Sequence, residues 1–255
     1  MNVIETDVEI AMPDGVCDAA FIHPRSGSHP GVLIWADAFG LRPVMREMGQ
    51  RLAAEGYAAL VPNPFYRLTK APFTDASHFN FQDPADRARI QPLMASVTAP
   101  GNAEKDAAAY VAFLDAQPAV DRAKKVGTQG YCMGGALAVR TAAAVADRVG
   151  AAASFHGGGL VTDQPSSPHL LAPRIHAQLY FGFGKNDDER QPDAKDKLKE
   201  AFDAAGLRSE IEVYPALHGW CMADMPKQNG TPIYDETQAE RAWGKLLALY
   251  RTALA

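Results

Sequence analysis

Residues 124–135 read KKVGTQGYCMGG, and the fold turns on them. A short segment around Val126 runs into Gly130-Tyr131-Cys132-Met133-Gly134, and the alanine- and valine-rich GALAVRTAAAVADR comes directly after. That order predicts a buried strand, a sharp turn and a helix. Gly-x-Cys-x-Gly at such a junction has the spacing of a nucleophile elbow, where a strained turn lifts one side chain clear of the sheet. Small neighbours are required because backbone passes close by, and Gly130, Gly134 and Gly135 supply them. A thiol there gains from the helix N-terminus, which favours an anion, and a thiolate is a strong nucleophile. The competing reading is a buried packing cysteine whose glycines serve only helix contact. Partner residues later in the chain separate the two.

On both sides of the elbow, strand-like and helix-like segments alternate. VEIAM and CDAAFIH flank the turn tripeptide Pro13-Asp14-Gly15 and predict an opening hairpin. GVLIWAD is a short apolar run of the kind buried on both faces of a sheet. Val44, Met45, Met48 and Leu52 recur at helical spacing, and Gly56 stands where a helix ends. YAALVP restarts a strand. Residues 63–100, rich in proline, aspartate and aromatics, predict an irregular excursion with one helical stretch, DPADRARIQPLMASV. Beyond it come a helix over 102–117, the elbow, strands in GAAASFHGGG, IHAQLYFGFG and SEIEVYP, a helix in DAKDKLKEAFDAAG and a closing helix through Trp243 and Tyr250. The expectation is one α/β domain over 1–255, a mainly parallel sheet with helices on both faces and its site beyond the carboxyl ends of the strands.

An elbow nucleophile needs an acid and then a histidine, each after a later strand. FGFGKNDDERQP ends one strand at Asp187-Asp188, and EIEVYPALHGW ends the next at His218. Counting G-x-x-D from Gly184 reaches Asp187, and one residue more reaches Asp188, with three residues between it and Pro192. Asp188 is preferred here, on the argument that proline fixes its side of the loop and glycine absorbs an extra residue.

ADAFGLRPVMREMGQRLAAEGYAALVPNPFYR, GTQGYCMGG, FGFGKNDDERQP and YPALHGW together resemble the dienelactone hydrolases (carboxymethylenebutenolidases) of the α/β-hydrolase superfamily over nearly the whole chain. The resemblance implies an α/β-hydrolase fold and cleavage of an ester or lactone, with Cys132 as nucleophile, His218 as base and Asp188, or Asp187, as acid. It also implies an oxyanion hole from the N–H groups of Ala38 and Met133. Asp37 stands where founding members carry a glutamate that gates the resting thiol. Met222 stands where they carry an arginine for the substrate carboxylate, which argues for neutral substrates unless Arg67, Arg87 or Arg89 supplies a replacement. A carboxylesterase or thioesterase of different acyl preference, or a weakly catalytic ligand-binding relative, are the alternatives.

Phe39, Tyr131, His156 and Trp220 are the expected pocket residues, against a packing role for each. The three cysteines, Cys17, Cys132 and Cys221, are odd in number and lack zinc-ligand spacing, so no metal and no cofactor is expected. A net charge of −5 without basic runs argues against nucleic acid. The amino-terminal sequence has no basic-then-apolar leader, and no apolar stretch reaches membrane-spanning length. The expected setting is cytoplasmic, as a monomer or small homo-oligomer, with a small ester or lactone as the partner molecule.

Overall fold

Eight strands form one sheet in the order β1-β2-β4-β3-β5-β6-β7-β8 in the computed structural model, which describes residues 3–227 and 230–255. The hairpin of β1 (Val3–Met12) and β2 (Gly15–Pro24) is antiparallel, and β2 pairs antiparallel with β4 (Ala58–Pro62). From β4 onward the pairing is parallel through β3 (Gly31–Trp35), β5 (Val126–Tyr131), β6 (Val149–Phe155), β7 (Gln178–Gly184) and β8 (Ser209–Tyr214). Every residue of β3, β4 and β5 is buried, as expected of parallel strands covered on both faces.

Helices α1 (Pro43–Ala54) and α7 (Glu236–Ala253) cover one face through Met45, Leu52, Leu246 and Tyr250. The other face carries α3 (Asn102–Asp115), α4 (Met133–Ala144) and α6 (Ala194–Ala204), which bring Tyr110, Leu114, Leu137, Leu198 and Phe202 onto the sheet. Burying each such side chain contributes about 1.5–3 kcal/mol relative to exposure. The predicted excursion over 63–100 contains helix α2 (Pro84–Thr98), and a one-turn 3₁₀ helix at Ala76–His78 precedes it. Its residues Ala76, Phe79 and Ile90 make a small separate core with Ala38 and Phe39 above the sheet.

The elbow is a matter of backbone clearance. A Cβ on Gly134 would lie 2.6 Å from the carbonyl oxygen of Ala36 and closer still to that of Trp35; one on Gly130 would strike the Gly134 carbonyl. Both obstacles are backbone and neither can rotate away. Gly134→Ala is therefore expected to lower stability by about 3 kcal/mol or more. Gly244→Ala, in α7 where an added Cβ meets nothing within 4 Å, should be neutral or stabilising by about 1 kcal/mol. Thermal unfolding of the two variants checks the contrast, and equal melting temperatures would contradict it.

Candidate active site

Strand β5 delivers Cys132 directly beyond its carboxyl end. Its φ of 53° and ψ of −117° lie outside the ordinary regions for an L-residue, and α4 begins at the next residue. The strained turn is held by its own hydrogen bonds. The Cys132 N–H donates to the Phe155 carbonyl and to His156 Nδ1, both at 3.1 Å, and the Cys132 carbonyl accepts from Gly135 N–H at 3.1 Å and Gly158 N–H at 3.0 Å.

His218 approaches from the loop after β8. Its Nδ1 lies 2.9 Å from each carboxylate oxygen of Asp187, and its backbone N–H donates to Asn186 Oδ1 at 2.7 Å. The imidazole and the Cys132 thiol line the same cavity. Burial alone would lower the imidazole pKa, but Cys132 and then Asp187 outweigh it and carry the group up to about 10. An imidazolium between a sulfur and a carboxylate has one N–H for each, which fixes the ring in the plane that both need.

Asp188 does not take the part expected of it. Its carboxylate faces Lys195 Nζ at 2.7 Å, and Asp187 is the buried member of the pair. The reason is local. Gly184 ends β7 and helix α5 (Lys185–Arg190) starts immediately, so the glycine side holds no slack. Successive helical residues point about 100° apart, which turns only one of the two acids inward. The slack lies instead around Pro192, which precedes α6 rather than opening it.

The Ala38 and Met133 N–H groups make no intramolecular hydrogen bond among the described residues. Ala38 occupies the second position of a turn closed by Gly40 N–H to Asp37 O at 3.0 Å, and Met133 is the first residue of α4. A cavity of about 30 Å³ lies between the Asp37–Phe39 turn, Cys132 and His218, and Phe81 and Met225 close it. His156 also lines this cavity. Fully buried, it is held neutral by burial and by the neighbouring His218, so the Nδ1 that accepts from Cys132 leaves its proton on Nε2.

Three further expectations need correction. Asp37 borders the cavity, but it does not offer a carboxylate to the thiol: both oxygens accept from Arg42, at 2.7 and 2.9 Å, and Oδ1 also accepts from Phe39 N–H. The shorter side chain bends back over its own turn. Tyr131 faces a separate cavity of about 140 Å³ between α1 and α7, which Cys221 also lines. Trp220 packs behind the site, stacked on Tyr214 and edge-on to His156, with no exposed surface. Arg67, a candidate for a substrate carboxylate, is held by Asp106 and Asp14. Arg89 reaches Asp86, and Arg87 reaches the Phe81 carbonyl.

Sequence reasoning missed Asn186, Phe81 and Met225. Asn186 had a signal in its place beside the acids at the strand end. Phe81 and Met225 had none, because each arrives from a segment without periodicity.

The sequence pattern of the dienelactone hydrolase family matches residues 17–254. A carboxymethylenebutenolidase of Pseudomonas sp. (strain P51) is 27% identical over 203 residues, covering 80% of this chain and 79% of its own. One from Rhodococcus opacus is 27% identical over 206 residues, covering 78% and 74%. Among solved structures, a dienelactone hydrolase-like promiscuous phosphotriesterase from metagenomic libraries superimposes with a TM-score of 0.80 at 24% identity, over 100% of both chains, and so has the same fold. With a mainly parallel sheet whose strand ends bring a cysteine, a histidine and an aspartate to one edge, and a family match over residues 17–254, this chain belongs to the dienelactone hydrolase family.

Proposed function

We propose that the protein hydrolyses neutral esters or lactones through a Cys132–His218–Asp187 triad. The observation that carries this reading is the position of His218, on the wall of the cavity that the elbow thiol also lines and with a buried carboxylate 2.9 Å from its Nδ1. The Cys132 thiolate attacks the carbonyl carbon, and the C=O electron pair becomes an oxyanion facing the free N–H groups of Ala38 and Met133. As the tetrahedral intermediate collapses, His218 gives its Nε2 proton to the departing alkoxide, leaving a thioester on Cys132. Water then attacks that thioester with neutral His218 as base. Sulfur leaves as thiolate, the acid product is released and the imidazolium is restored. Asp187 keeps the ring oriented and offsets its positive charge throughout.

The preference for neutral substrates comes from the walls. Phe39, Phe81 and Met225 supply apolar surface, and no lysine or arginine lines the cavity among the described residues. An anionic group placed there loses its hydration, and the cation on the wall, the His218 imidazolium, is already matched by Cys132 and Asp187. A neutral aryl ester is accordingly expected to exceed its carboxylate-bearing analogue by about 10-fold or more in kcat/KM, since leaving one charge unpaired costs more than about 1.4 kcal/mol. A panel of matched lactones and esters, assayed before and after stoichiometric iodoacetamide treatment, tests both halves of the reading. A carboxylate-bearing lactone as best substrate would refute the charge argument, and full activity after alkylation would refute the thiol.

A further inference from the structure

We propose that Arg42 is a positioning residue for the reaction: with Asp37 and Asp224 it holds the oxyanion turn at a fixed distance from the histidine loop. The inference rests on the triad reading above and concerns residues that take no direct part in it. Arg42 precedes α1, and its side chain is only 2% exposed. A guanidinium has five N–H donors, and every one has a partner here. Nη1 donates to Asp37 Oδ1 at 2.7 Å and to the Gly40 carbonyl at 3.2 Å. Nη2 donates to Asp37 Oδ2 at 2.9 Å and to Asp224 Oδ1 at 3.0 Å. Nε donates to Asp224 Oδ2 at 2.7 Å. The group also lies over the Phe39 ring, 5.3 Å from its centroid.

The partners have two consequences. Asp37, Phe39 and Gly40 are three of the four residues of the turn whose remaining member is Ala38, so Arg42 grips that turn on either side of the proposed oxyanion donor. Asp224 belongs to the chain that leaves His218, one residue before the cavity-lining Met225. The pair Arg42–Asp224 thus spans a sequence separation of 182 residues and joins the two loops that face each other across the reacting atoms. With all five donors engaged, Arg42 has none left for a substrate carboxylate while the clamp holds. Bidentate geometry on both carboxylates uses the planar fork of arginine, and a lysine ammonium cannot reproduce it.

The test separates oxyanion positioning from nucleophile integrity, because alkylation of a thiol by iodoacetamide uses no oxyanion hole. Arg42→Met alone leaves Asp37 buried without a counter-charge. The double variant Arg42→Met/Asp37→Asn removes both charges, and Asp224→Ala cuts the tether while leaving the Arg42–Asp37 pair. For the double variant, kcat on a neutral aryl ester should fall about 100-fold, the scale of one misplaced oxyanion donor. Its KM should stay within about threefold and the rate of Cys132 alkylation should be unchanged. Asp224→Ala should lose about 10-fold in kcat with the same two controls flat, and Arg42→Lys should fall between the parent and the double variant. Turnover within about threefold of the parent in the double variant, or alkylation and kcat falling together, would overturn the proposal. Loss of parental turnover on alkylation of Cys132 is measured in the same series, so failure of the triad reading shows separately.

Discussion

Cys132→Ala is expected to lower ester and lactone turnover by about 10⁴-fold or more, the usual cost of deleting a covalent nucleophile that works as a unit with its base. The protein should fold as before. Alanine meets the same left-handed backbone strain at φ 53° as the cysteine it replaces, and the glycines that clear space for the turn are untouched. Thermal unfolding should therefore stay close to the parent while the steady-state rate collapses. Because Cys132 is the larger of the two causes that raise the His218 pKa, its removal should also bring the imidazole back toward the ordinary histidine range. Titration of the His218 ring protons by NMR reads this directly. A Cys132→Ala protein with parental turnover would end the covalent mechanism.

The second large effect divides two adjacent acids. Asp187→Asn is expected to cut turnover by on the order of 10³–10⁴-fold, through loss of the ring's orientation and of the charge that stabilises its protonated form. Asp188→Asn should stay within about twofold, since its carboxylate serves a partly exposed contact with Lys195. The pH dependence has a definite sign. The folded-state pKa of His218, about 10, lies above its unfolded value near 6.5, so its protonation stabilises the fold fully below pH 6.5 and that stabilisation is lost as pH rises through 10. Asp187→Asn should lower the upper end of that window, and Asp188→Asn should leave it in place. Chemical denaturation from pH 6 to pH 10 measures both. Equal kinetic losses in the two variants would remove the assignment of the acid.

The contrast between those two residues shows how much of this molecule was legible in its sequence. The order of strands and helices, the elbow and the histidine that pairs with an acid at the strand ends were all written in local patterns: short apolar runs, helical spacing and a Gly-x-Cys-x-Gly turn. Resemblance to the family added the expectation that Ala38 and Met133 are oxyanion donors. The choice between Asp187 and Asp188 needed the knowledge that a helix starts directly after Gly184, and a six-residue helix is too short to announce itself by periodicity. Asp37 was misread for another reason. Its partner Arg42 sits five residues away, and the second acid, Asp224, sits 182 residues beyond that arginine. No spacing rule connects a charge to a counter-charge across the whole sheet.

On the proposed triad, strand order also dictates when during synthesis the elbow cysteine meets its partners. Cys132 leaves β5, its acid comes after β7 and its base after β8, so a growing chain carries the elbow long before it carries the histidine. Until the last crossover closes, the cysteine has neither an imidazolium to stabilise its anion nor a carboxylate behind that imidazolium. On that reading the nucleophile acquires its base and acid only when the sheet is complete.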